Sequence, residues 1–288
     1  MNAIELKNIN YHFKEFQLND ISFKVPQGFV TGFIGANGVG KTTIIRLIMD
    51  LIEPNDGEIF VFNQKMKNNA VAIKDKIGFI YSELYLNDKW TIKKTESYIA
   101  PFYSYWSHDI FKHYVELFGL PFNKKIKTFS TGMKMKLSIA IAFSHQAELF
   151  ILDEPTSGLD PIVRNEVLDI IQKELIDEKK TVFLSTHIIS DLEKIADYLV
   201  YIKDGEVVLN DFLDKLLNQF KIVKGDSDQI DEELRQLTQY FESNKTGYTA
   251  LTTQANVFYE IFGNAVAITS PTIEDLMVYL EKGTQKND

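Results

Sequence analysis

Gly35-Ala36-Asn37-Gly38-Val39-Gly40-Lys41-Thr42-Thr43 is the stretch whose reading decides the fold. It fits G-x-x-x-x-G-K-[ST], and each residue type has a physical reason to be there. Gly35, Gly38 and Gly40 let the backbone enter positive φ, so that successive N–H groups converge on one anion. Lys41 adds a mobile charge for the outer phosphates, and Thr42 a hydroxyl for Mg²⁺. Residues 29–34, ahead of the loop, read as a buried strand. Residues 43–51, behind it, read as a helix with Ile44, Ile45, Leu47, Ile48 and Leu51 apolar. The loop therefore joins a strand to a helix whose N-terminus faces the anion.

With 288 residues the chain is long enough for a sizeable core and one or two subdomains. A net charge of −9 argues against a nucleic-acid surface, and no nucleic-acid partner is expected. The absence of cysteine excludes disulfides and thiolate metal sites. No apolar run approaches the roughly 18 residues of a membrane span, and Met1 to Glu5 lack a basic-then-apolar signal. A soluble, cytoplasmic chain is expected, with any membrane spans supplied by a partner.

Ahead of the loop, residues 3–30 alternate in period two, as in Ile4 and Leu6 or Ile21, Phe23 and Val25, and predict a small antiparallel sheet. Further strands are expected at 58–62 and 76–81. From about 82 to 147 strand-like runs give way to aromatics, and a packed helical insert is the simplest reading. Its last helix carries Met133, Leu137, Ala140 and Ile141 and begins at Ser130-Thr131-Gly132. The run Leu149-Phe150-Ile151-Leu152 reads as a central parallel strand, followed by a helix from Pro161. Residues 181–185 read as another strand, Ser190 to Glu193 as a capping box opening a helix, and 199–209 as a hairpin. Together these predict a three-layer α/β core. Beyond about 212 the pattern weakens to a small α/β appendage: a helix through Leu234, Leu237 and Phe241, strands near 248–251, 257–261 and 265–269, and a last helix with Ile273, Leu276 and Leu280.

Three more features add chemistry to the loop. Asp153 closes an apolar strand, where its carboxylate can hold Mg²⁺ opposite Thr42. Glu154 comes next, placed to polarise a water. His187 follows the 181–185 strand, where it can donate to a terminal phosphate. The turn Phe129-Ser130-Thr131-Gly132-Met133-Lys134 is by itself an ordinary helix cap, and gains meaning only from preceding the acidic pair.

In this order the motifs resemble those of the ATPase subunit of an ATP-binding cassette (ABC) transporter, over residues 3 to about 210. Residues 35–43 resemble its Walker A loop, 129–133 its LSGGQ signature, 149–154 its Walker B strand, 157–160 its D-loop, and His187 its switch histidine. The signature and the tail Ser270-Pro271-Thr272-Ile273-Glu274-Asp275-Leu276 are most similar to bacterial exporters of drugs and antimicrobial peptides. The resemblance implies a P-loop NTPase core with an N-terminal antiparallel β-subdomain, a nucleotide-binding domain over 1–212 with a helical subdomain at about 82–147, and an accessory region over 213–288. It implies ATP and Mg²⁺ as cofactors, with Asn37, Gly38, Gly40, Lys41, Thr42 and Thr43 on the phosphates and Phe13 or Tyr11 on the adenine. Ser130 and Gly132 would come from a second subunit arranged head to tail, in a homo- or heterodimer, and Asp160 would be a further nucleotide-binding residue. Catalysis would fall to Glu154, His187 and Lys41, and the metal to Thr42, Asp153 and Ser82. An integral membrane permease would be the partner, on the inner face of the membrane.

Two departures from the family pattern stand out. Thr131 and Met133 replace a glycine and a glutamine of the signature, and Ser82-Glu83 stand where the family places a metal-touching glutamine. A soluble regulatory ATPase not coupled to transport is the alternative reading. A guanine-reading Asn-Lys-x-Asp motif is absent, since Asn123-Lys124 is followed by Lys125-Ile126.

Overall fold

The computed structural model describes residues 1–81, 85–174, 180–226 and 230–283, and the chain divides into two units, Met1–Asn210 and Asp211–Asp288. In the first, alternating apolar residues build β1 (Asn2–Phe13) and β2 (Phe16–Pro26), which bury Ile4, Leu6, Ile9, Leu18, Ile21, Phe23 and Val25. The fully buried β3 (Val30–Ile34) leads through the glycine-rich loop into α1 (Lys41–Ile48). Then come β4 (Asp56–Val61), β5 (Gln64–Lys65), α2 (Met66–Lys74) and β6 (Ile77–Ile80). Strands β2, β1, β4 and β5 form an antiparallel sheet in that order.

Three helices follow: α3 (Ile92–Ile99), α4 (His108–Leu117) and α5 (Thr131–Phe143). Each opens on a hydroxyl that accepts a backbone N–H two or three residues into the helix: Thr91 from Lys94, Ser107 from Ile110 and Ser130 from Met133. The aromatic crowd is divided here. Phe111 and Tyr114 are interior, whereas Tyr98, Phe102 and Tyr105 are exposed at 52%, 83% and 61%, so a packed interior accounts for only part of it.

The chain returns to the core through β7 (Leu149–Asp153), α6 (Pro161–Glu174), β8 (Thr181–Ser185), α7 (Ile189–Ile195), β9 (Tyr198–Lys203) and β10 (Glu206–Phe212). These strands join β3 and β6 in a six-stranded sheet of order β10-β9-β3-β8-β7-β6, parallel from β9 to β6. Every residue of β3, β7 and β8 is buried, as expected of parallel strands covered on both faces. Phe33 and Phe183 stack with centroids 4.9 Å apart, and Phe23 of β2 meets both at 5.7 and 5.9 Å. That triad fastens the antiparallel sheet to the central one; truncating one such ring typically costs about 3–5 kcal/mol.

The expected capping box at Ser190 is not formed. Helix α7 starts earlier, with Ile188 at its N-cap, and Thr186 Oγ1 accepts the Ile188 N–H instead. Ser190 lies inside the first turn, where its hydroxyl accepts from Arg164.

The second unit holds α8 (Leu213–Gln219), β11 (Lys221–Gly225), α9 (Glu232–Gln236), β12 (Thr238–Asn244), β13 (Gly247–Thr252), α10 (Ala255–Phe262), β14 (Ala267–Thr269) and α11 (Ile273–Gly283). Its sheet order is β12-β13-β11-β14. Two expectations are corrected. The helix through Leu234 stops at Gln236, and Phe241 belongs to β12, where strand pairing brings its ring to 5.7 Å from Tyr248. Residues 257–261 are helical, because the buried positions Ala255 and Phe258 are three apart while Tyr259 and Ile261 are exposed. No helix among the described residues is long and apolar enough to cross a membrane.

One buried group makes stability depend on pH. His145 is 1% exposed, with Nε2 3.0 Å from the Ile77 carbonyl, Nδ1 3.3 Å from that of Ile141, and its ring stacked on Tyr103. Burial lowers its pKa, outweighing the two carbonyls and Asp75, which act to raise it. The unfolded chain thus takes up a proton that the folded chain refuses, and stability falls as pH drops through the unfolded value of about 6.5. The Tm loss between about pH 7.5 and about pH 5.5 should be smaller in His145→Gln than in the parent. Equal losses in thermal melts would show that another group carries the dependence.

Candidate functional site

Because β3, β8 and β7 are adjacent and parallel, the loops at their C-terminal ends open on one edge of the sheet. After β3, Gly38 and Gly40 take φ of 85° and 112°. A Cβ on Gly40 would come within 2.8 Å of Leu18 and Phe16, so both backbone sign and space demand glycine there. Lys41, 7% exposed, donates from Nζ to the Gly35 carbonyl at 2.7 Å and lies 3.7 Å from Glu154 Oε1. The lysine is thus held folded back under its own loop, with its charge beside a carboxylate.

At the end of β7, Asp153 is 2% exposed and accepts the Thr42 hydroxyl on Oδ2 at 3.0 Å, while its Oδ1 is buried with no partner. Ser185 Oγ, in register with Asp153 on β8, is likewise buried and unpaired. Glu154 adopts a left-handed backbone with φ of 53°, uncommon for a residue with a Cβ, and its N–H donates to the Ser185 carbonyl at 2.9 Å. Its Oε2 lies 2.7 Å from His187 Nδ1, and the His187 N–H points to the same oxygen at 3.4 Å. One acidic side chain therefore bridges the lysine of the first loop and the histidine of the third.

These groups surround a cavity of about 440 Å³ lined by Phe16, Asn37, Gly38, Gly40, Lys41, Thr42, Thr43, Glu154, Ser157 and His187. Small-molecule sites typically run from about 300 to 1,000 Å³. A larger cavity of about 940 Å³, lined in part by Asp109, His113, Glu148, Glu174 and Lys180, lies near the opposite, N-terminal ends of β7 and β8. There Glu174 binds Lys180 at 2.5 Å and accepts the Tyr114 hydroxyl, whose pKa burial and that carboxylate push up. The chemistry gathers at the smaller cavity.

Of the residues singled out in the sequence, the loop, Glu154 and His187 line this cavity, and Asp153 reaches it through Thr42. Ser130, Gly132 and Asp160 do not line it. Ser130 caps α5, a Cβ on Gly132 would lie 3.3 Å from Val163, and Asp160 Oδ1 accepts the N–H groups of Ile162 and Val163 at the start of α6. Among the aromatics, Phe13 is 60% exposed under Lys14 and Tyr11 packs against the core, whereas Phe16 stands at the cavity. Sequence reasoning missed Phe16. Its signal was the short turn at residues 14–15, which places Phe16 opposite Phe13 in the strand pair. Ser82 and Glu83 lie outside the described residues.

A hydroxyl and a carboxylate with one oxygen unsatisfied form a hard-oxygen pair that suits Mg²⁺, an ion usually held by one or two carboxylates together with phosphates. No cluster of three or more His, Cys, Asp or Glu able to hold a metal occurs among the described residues.

Residues 18–157 match the family model described as ABC transporter. The chain is 34% identical over 205 residues, 69% of its length, to the ABC transporter ATP-binding protein NatA of Bacillus subtilis, covering 83% of that protein. It is 33% identical to the bacitracin transport ATP-binding protein BcrA of Enterococcus faecalis, over 72% of this chain and 68% of the relative. To the lantibiotic transport ATP-binding protein SrtF of Streptococcus pyogenes it is also 33% identical, over 72% and 89%. Among solved structures, an ATP-binding subunit of an ABC transporter superposes with a TM-score of 0.67 at 27% identity, covering 75% of this chain and 92% of that one. A dimeric bacterial ABC transporter cassette gives 0.65 at 25% identity, covering 73% and 98%.

The loop glycine offers a direct check on this geometry. Gly40→Ala forces a Cβ into left-handed backbone at a cost of about 1–2 kcal/mol, before the clash with Phe16 and Leu18. A Tm lower by roughly 2–8 °C is expected, together with loss of the Tm increase that ATP is expected to give the parent. An unchanged increase in thermal-shift assays would contradict the loop geometry.

Proposed function

Since the chain belongs to the ABC transporter family as an ATP-hydrolysing subunit, we propose that its activity is carried by Lys41, Thr42, Glu154 and His187, which line one cavity, and by Asp153 bonded to Thr42. The observation that carries this is Glu154, which lies within reach of both Lys41 and His187. The loop amides and Lys41 neutralise the phosphates of ATP, with the lysine exchanging its carbonyl partners for phosphate oxygens. Glu154 orients water and accepts its proton, and His187 steadies the terminal phosphate. Thr42 and Asp153, with Ser82 a further candidate, would hold Mg²⁺, which when bound supplies charge neutralisation at the phosphates. Phe16 replaces Phe13 and Tyr11 as our candidate for the adenine face.

Relatives of this family work as pairs of ATPase subunits with a membrane permease. In our reading the pair is head to tail, so that Ser130, Gly132 and Asp160 of one copy complete the cavity of the other. The dimeric bacterial ABC transporter cassette that this chain resembles supports pairing. The nucleotide-binding domain is assigned to 1–212 and an accessory region that tunes pairing to 213–288. The exposure of Tyr98, Phe102 and Tyr105 supports a docking surface for the permease, and in this reading the chain works at the inner face of the membrane. Relatives named for bacitracin and lantibiotic transport support amphipathic peptides or antibiotics as the exported cargo.

In phosphate-release assays with the permease present, Glu154→Gln should bind ATP as the parent does and turn over roughly 10²- to 10⁴-fold more slowly, the range for a lost general base. Turnover near the parent rate would remove Glu154 from this role.

A further inference from the structure

Ser190 and Asp191, two residues of the expected capping box, instead belong to a polar junction centred on a buried carboxylate. Asp191 is fully buried in the first turn of α7. Its Oδ2 accepts the Thr156 hydroxyl at 2.5 Å and its Oδ1 the Arg164 Nε–H at 2.5 Å, while Arg164 Nη2 donates to Ser190 Oγ at 2.5 Å. Thr156 is 1% exposed. Burying a carboxylate is costly unless its oxygens are hydrogen-bonded, and here each oxygen has a partner on a different segment.

The segments so joined are those that carry Glu154 and His187. Thr156 follows Glu154 by two residues, Asp191 follows His187 by four, and Arg164 sits in the first turn of α6, its N–H on the Asp160 carbonyl. The left-handed Glu154 has no helix or strand of its own to hold it, because β7 ends at Asp153. We propose that Asp191 is a positioning residue: through Thr156 and Arg164 it fixes the turn after Glu154 against the turn after His187, and so sets the 2.7 Å Glu154–His187 hydrogen bond. The inference rests on the reading above, in which Glu154 and His187 act in ATP hydrolysis; it adds what holds them in register.

Thr156→Val removes one hydroxyl at nearly constant volume and leaves the Asp191–Arg164 pair, and Thr156→Ser restores the hydroxyl. With the full chain, we expect Thr156→Val to lower kcat roughly 10- to 100-fold, the scale of a small misplacement, with KM and the Kd for Mg·ATP within about twofold of the parent. We expect Thr156→Ser to recover most of kcat, and a crystal structure of Thr156→Val to show Glu154 and His187 out of hydrogen-bond reach. An unchanged kcat with the hydrogen bond intact would overturn the proposal. So would a joint fall of kcat, nucleotide affinity and Tm that serine does not rescue, since that marks simple structural support. Should Thr156→Val not fold, Arg164→Gln, which keeps the Thr156–Asp191 bond, must show the same selective loss of kcat, and a parent-like kcat would again overturn it. If the parent chain itself does not hydrolyse ATP, the functional reading fails, and the Glu154–His187 separation in the Thr156→Val crystal still decides the positioning claim.

Discussion

Parallel pairing of β3, β8 and β7, each buried along its whole length, is the constraint from which the site follows. Strands buried on both faces cannot slip by one residue without turning their apolar side chains toward different neighbours, so register is tightly held. Fixed register puts Asp153 beside Ser185 and brings Thr186 N–H onto the Phe33 carbonyl. Three loops distant in sequence thereby share one edge. The phenylalanine triad of β2, β3 and β8 reinforces that arrangement from the side of the antiparallel sheet.

Within this frame the charged groups neutralise one another. Lys41 rests on carbonyls of its own loop and faces Glu154, which in turn faces His187. A phosphate chain entering the cavity competes for those contacts, so binding exchanges internal pairs for charge-assisted bonds to the ligand. Only Asp153 Oδ1 and Ser185 Oγ are left buried and unpaired at this edge, among the described residues, and a hard cation beside Thr42 would relieve the carboxylate.

Local patterns made much of this legible. The continuous apolar runs at 149–152 and 181–185 and the glycine spacing of the loop each act through backbone sterics and burial, which the sequence displays directly. Less was legible where two elements compete for one segment. Ser190 to Glu193 has the residue types of a capping box, yet α7 begins one residue before Ser190, the Thr186 hydroxyl holds the preceding turn, and Arg164 and Thr156 draw Ser190 and Asp191 into a tertiary network. Around 257–261 the β-branched and aromatic residues favour a strand, but packing of Ala255 and Phe258 on one face makes them a helix.

The sequence by itself determined the phosphate loop, the carboxylate that ends β7 and the order of the main strands of the central sheet, because those depend on residue type and spacing along one segment. Tertiary structure alone decided that Phe16 stands beside the loop in place of Phe13 or Tyr11, that Glu154 meets both Lys41 and His187, and that Asp191 joins two turns. Each of these is a contact between segments far apart in the chain, fixed by strand register and burial, and no local pattern records it.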